Sequence, residues 1–86
     1  MSKSIWKFPF EVTDEQEIKM PIGAQILSVQ MQGDKPCIWV LVDTTAQKEN
    51  RTVQVFGTGN PVSNEGKYIG TFQMCDGARV FHTFIK

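Results

Sequence analysis

From Cys37 to Val42 every side chain is apolar. Such a run suits a strand covered on both faces and is too short for a buried helix. Lys35–Asp43 is therefore expected to be the central strand, with the rest of the chain arranged to cover it.

A chain of 86 residues has room for one domain, residues 1–86, which buries only about 60–65% of its unfolded surface and so has a modest core. Nine Lys/Arg balance nine Asp/Glu, leaving no global field that would draw the chain to nucleic acid or an anionic membrane. The halves differ slightly. Residues 1–49 hold five basic against seven acidic side chains, and residues 50–86 hold four against two, so an anionic ligand would favour the second half. Cys37 and Cys75 stand in strand-like contexts without a CxxC spacing, and no long apolar leader precedes them. These features predict reduced, buried thiols in a cytoplasmic protein. No apolar run approaches the ~20 residues that span a bilayer. With His82 as the only histidine, neither a His-based metal site nor a cofactor is expected.

Taken in order, Ile5–Val12 alternates, with Trp6, Phe8, Phe10 and Val12 on one side. Pro9 cannot donate to a ladder, which places this strand at an edge. Thr13–Gln16 reads as a polar turn and Glu17–Met20 as a short strand ended by Pro21 and Gly23. Thr44–Asn50 reads as a loop and Arg51–Phe56 as a strand with Val53 and Val55 on one face. Two hairpins stand out. Ala24–Gln32 and Lys35–Asp43 join across Gly33-Asp34; Lys67–Cys75 and Ala78–Ile85 join across Asp76-Gly77, the strongest turn signal in the chain.

Counting outward from the first turn sets Met31 against Pro36, Val29 against Ile38, Leu27 against Val40 and Gln25 against Val42. On the other face Gln30 meets Cys37, Ser28 meets Trp39 and Ile26 meets Leu41. That face is mixed, and the aromatic strand at residues 6–10 is the expected cover, with Trp6 packed on Trp39. From the second turn, Phe72 meets Phe81, Gly70 meets Thr83 and Tyr68 meets Ile85; Thr71 meets His82, Gln73 meets Val80 and Ile69 meets Phe84. Each hairpin has one apolar face to bury, and they can do so only against each other. The fold class is all-β, about seven short antiparallel strands in a compact sandwich or partly open small barrel.

The series Ile5-Trp6-Lys7-Phe8-Pro9-Phe10, Met20-Pro21-Ile22-Gly23-Ala24-Gln25-Ile26-Leu27, Pro36–Asp43, Phe56–Pro61 and Tyr68-Ile69-Gly70-Thr71-Phe72 resembles a family of small proteins encoded by bacteriophages and prophages. The resemblance covers nearly the whole chain. It implies a domain without an established activity, and members often carry His where this chain has Asn60. It also implies a host-directed or counter-defence role in the host cell cytoplasm.

For chemistry, Gly57-Thr58-Gly59-Asn60-Pro61 is the most pointed stretch. Glycines at this spacing let backbone N–H groups converge on an anion, with Thr58 and Asn60 adding side-chain bonds. The stretch matches neither GxxxxGK[ST] nor GxGxxG, and no helix follows it, so a plain turn is the stronger reading. Thr71, Gln73 and His82 form a second polar patch, and Arg51 and Arg79 are the candidate cations. No residues are assigned to catalysis, and the chain is expected not to be an enzyme. Two functions follow. The first is a binding protein that occupies a host protein's surface through aromatic anchors, Trp39 with Leu41 or Trp6 with Phe8. The second is a binder that sequesters a nucleotide-like small molecule with Gly57, Thr58, Gly59, Asn60, Thr71, His82, Arg51 and Arg79, as a monomer or a homodimer.

Overall fold

A computed structural model describes residues 2–86. In chain order the strands are β1 (Lys3–Pro9), β2 (Glu15–Pro21), β3 (Gln25–Gln32), β4 (Lys35–Asp43), β5 (Lys48–Gly57), β6 (Lys67–Met74) and β7 (Arg79–Ile85). They form two antiparallel sheets, β1-β4-β3 and β2-β5-β7-β6, stacked as an open sandwich. The inner faces share one core of Phe10, Met20, Val29, Ile38, Val40, Val42, Val53, Val55, Phe72 and Ile85.

The apolar run does form the middle strand of its sheet, with both edges paired. Its two faces, however, are unequal. Ile38, Val40 and Val42 point inward and are buried, whereas Trp39 and Leu41 point outward and are only half-buried. The expected cover is absent because β1 lies beside β4 in the same sheet, not on top of it. Trp6 pairs with Val40 and Lys7 with Trp39. Since side chains alternate across a strand, Trp6 and Trp39 stand on opposite faces and do not pack together. β1 is an edge strand, as Pro9 requires.

Both hairpins keep the expected register near their turns and lose it further out. Gly33, at φ +62, opens the first turn, and Asp76 and Gly77 are both left-handed in the second, the conformations of tight hairpin turns. A bulge at Leu27 then moves Ile26 opposite Val40 and Gln25 opposite Leu41. A second bulge at Ile69 sets Tyr68 opposite Phe84 and Lys67 opposite Ile85. In each case the extra residue restores an apolar side chain to the inner face: Ile26 and Ile69 both pack on the core.

Three further expectations change. β5 begins at Lys48, because Lys48, Glu49 and Asn50 pair with Pro21, Met20 and Lys19; this polar end of the strand had the composition of a loop. Val12 leaves the ladder and is exposed. Both thiols are free, but only Cys37 is buried; Cys75 sits exposed at the second turn.

The sheets approach most closely where β3 crosses β6. A Cβ on Gly70 would lie 2.8 Å from that of Val29, so only glycine fits there. Beside it Thr83 is fully buried between Val55 and Gly70, and its hydroxyl has no hydrogen-bond partner among the described residues. Replacing a stranded hydroxyl with a methyl of similar size removes a desolvation cost. Thr83→Val is expected to raise stability by about 1 kcal/mol, read as a higher urea midpoint at an unchanged slope.

Candidate functional site

β6 and β5 both run antiparallel to β7, so they are parallel to one another with β7 between them. Thr58–Gly66 must therefore double back from the end of β5 to the level of Val53, where β6 starts. Gln54 holds this crossing. Its Nε2 donates to the Asn64 carbonyl at 3.0 Å, and its Oε1 accepts from the Gly66 N–H at 2.8 Å. A glutamine only 2% exposed is thus satisfied at both ends of its amide. Gln54→Ala is expected to cost about 1–2 kcal/mol, since two backbone partners in the crossing lose their bonds, and to speed hydrogen exchange at Gly66. Nothing in Val53-Gln54-Val55 marks this role, because the alternation assigns Gln54 to solvent.

Folding brings together most of the residues named as ligand-binding. Gly57–Asn60 forms a tight turn, closed by Asn60 N–H to Gly57 C=O at 3.0 Å, with Gly59 at φ +89. Thr58 donates its N–H to the Val80 carbonyl at 3.1 Å. Its hydroxyl lies 3.2 Å from the same oxygen and 2.8 Å from His82 Nε2. On the other side of the ring, His82 Nδ1 is 3.1 Å from Thr71 Oγ1, which is 2.5 Å from the Tyr68 hydroxyl. The result is a line of four hydrogen-bonded side chains across the outer face of the four-stranded sheet. Tyr68 belongs to it unforeseen, because the bulge at Ile69 is what turns its ring to this face against Phe84, at a centroid distance of 5.5 Å.

Donor counting shows how this line is occupied. With the Thr58 hydroxyl donating to Val80, it accepts from Nε2–H, leaving Nδ1 to accept from Thr71 and Thr71 to accept from Tyr68. Both ring nitrogens are then used internally. The amides tell the same story: the N–H groups of Thr58 and Asn60 are bonded to carbonyls and do not converge on open space. Arg79 lines a shallow groove with Gly57, Thr58 and Val80. Asn60 faces a different groove, of about 640 Å³, whose other wall carries Asp14 and Glu15. Arg51 stands apart from both. It is six positions back along β5 from Gly57, roughly 20 Å at the usual rise, and its Nε donates to the Lys86 carbonyl at 2.6 Å.

The candidate anchors divide between two faces. Trp6 and Phe8 point inward against the core, their ring centroids 6.3 Å apart, with the Lys48 ammonium 5.8 Å from the Trp6 ring. Trp39 and Leu41 point outward, and Ile5, directly opposite Leu41, is 59% exposed. At one end of this face Lys7 reaches over β4 to Gln32 Oε1 at 2.5 Å. At the other end Asp43 accepts from the Thr45 hydroxyl at 2.7 Å and the Thr45 N–H at 2.9 Å. The first of these, then the second, holds its carboxyl below the usual range. That turn is therefore supported above the ordinary carboxylate pKa and loses the support as pH falls through the lowered value. Between these polar ends lies an apolar strip of Ile5, Trp39 and Leu41.

Fold and surfaces together define a small open β-sandwich with one apolar outer strip and one self-bonded polar face. The chain belongs to a family known as a domain of unknown function, DUF7352, whose model matches residues 1–86. No curated protein and no solved structure shows a significant match.

Proposed function

We propose that this protein is a non-enzymatic binding module that occupies the surface of another protein, in a phage-type, host-directed setting, with the outer face of the β1-β4-β3 sheet as its docking surface. The observation that carries this is the outward placement of Trp39 and Leu41 on the middle strand, next to the exposed Ile5. A large aromatic on a rigid, twice-paired strand loses little freedom on docking, and Lys7, Gln32 and Asp43 supply a polar rim. Trp6 and Phe8 serve the core instead. Sequestration of a nucleotide-like molecule at the Gly57–Asn60 turn has weaker support, since the N–H groups of Thr58 and Asn60 and the Thr58 hydroxyl are already bonded to the protein.

Affinity capture from bacterial lysate, followed by titration of the purified partner, tests the reading. Trp39→Ala is expected to weaken that complex by about 2 kcal/mol, near thirtyfold, measured well below the variant's melting temperature because truncating a half-buried ring also lowers stability. Thr58→Val and Asn60→Ala should leave it intact. Undiminished binding by Trp39→Ala, or submicromolar binding of any linear or cyclic nucleotide in calorimetry, would overturn it.

A further inference from the structure

β2 is the outermost strand of the four-stranded sheet, and among the described residues no strand pairs with its other edge. The parity of that edge is fixed by its neighbours. Asp14 C=O accepts from Val55 N–H, and Ile22 N–H donates to Gln47 C=O, so even-numbered residues turn their backbone groups towards β5. Glu15, Glu17 and Lys19 therefore present both N–H and C=O to the open edge, while Pro21 presents only C=O. An edge of this kind is a template for another strand.

From this edge we infer that the protein self-associates through β2, pairing antiparallel about a two-fold axis at Ile18. A symmetric pairing must set odd residues opposite odd ones, because only those have free backbone groups. Three central registers meet that condition. One sets Glu17 against Glu17 of the second copy, flanked by two Glu15–Lys19 pairs, and another sets Lys19 against Lys19; both place like charges face to face at the axis. The third sets Glu17 against Lys19 of the second copy and, by symmetry, Lys19 against Glu17.

In that third register each Glu17–Lys19 pair exchanges both of its backbone bonds, and the carboxylate and ammonium lie side by side on the outer face. Glu17 and Lys19 are both exposed and available for this. Ile18, half-buried on the inner face, meets Ile18 of the second copy and extends the core across the junction. Pro21 falls opposite Glu15 at each end of the overlap, where its missing N–H costs one bond per end. The like-charge pair at the axis of each of the first two registers thus tips the balance towards the third, which distinguishes a chosen partner from a merely guarded edge. The outer face around Trp39 belongs to the other sheet and stays free in both copies, so the dimer would display two docking surfaces.

Sedimentation equilibrium of the whole protein at concentrations up to about 1 mM, at low salt, tests the inference with five samples. The unmodified chain should associate as a dimer. Glu17→Lys and Lys19→Glu, each of which puts like charges opposite, should weaken association by roughly tenfold or more while leaving the melting temperature of the dilute protein unchanged. The double variant E17K/K19E should recover it, as should an equimolar mixture of the two single variants. A chain that is monomeric throughout, single variants that associate like the parent, or a folded double variant that fails to recover would each overturn the inference.

Discussion

Val40→Asp is expected to yield a chain with no cooperative unfolding transition, whereas Leu41→Asp, one residue further along the same strand, should fold. Val40 is fully buried, paired with Trp6 on one side and Ile26 on the other, and faces the second sheet. A carboxylate there has no cation or donor within the core. Desolvating it costs more than the whole ~5–15 kcal/mol that stabilises a domain of this kind. Leu41 points the other way, where an acid meets water. Circular dichroism melts of the two variants separate the cases, and hydrogen exchange adds a check on the parent, in which Ile38–Val42 should be the most protected amides. A folded Val40→Asp, or exchange at Ile38–Val42 as fast as at the termini, would remove β4 from the centre of the fold.

Phe72→Ala is the second large effect, at about 3–5 kcal/mol. Its ring is 3% exposed and joins the sheets, meeting Phe10 edge-on at 5.6 Å and lying stacked on Phe81 at 5.4 Å. Phe81 is half-buried, so truncating it opens less of the core, about 2–3 kcal/mol. The two losses should fall short of additivity, with a coupling of about 0.5–1.5 kcal/mol for rings in contact. Strict additivity in urea titrations would contradict the stacking.

Two short turns explain why the hairpins were legible in the sequence. Gly33-Asp34 and Asp76-Gly77 specify backbone conformations that few other pairs adopt, and from each turn the period of two carries the register outward. That extrapolation fails at Leu27 and Ile69 for one reason: a bulge has no local signature. It is selected by whether an inner or outer position gains an apolar side chain, and that depends on the opposing sheet. Strand existence, the all-β class and the pairing near the turns thus follow from local chemistry and alternation.

The candidate surfaces show the complementary limit. The register of the second hairpin already set Thr71 opposite His82, but nothing in the sequence could add Thr58 to them. They meet because β7 lies between β5 and β6, an order set by long-range pairing. The same order creates the crossing that Gln54 must hold. Trp6 and Trp39, equivalent as residues, acquire opposite roles once β1 pairs beside β4, since adjacent positions in a ladder face opposite ways. Most strands and their turns are encoded within a few neighbouring residues and so are legible in the sequence; the polar start of β5 is not, because pairing with β2 makes it a strand. Which face of each strand meets the core and which meets solvent is settled only in the tertiary structure, because that choice is made by surfaces distant in the chain.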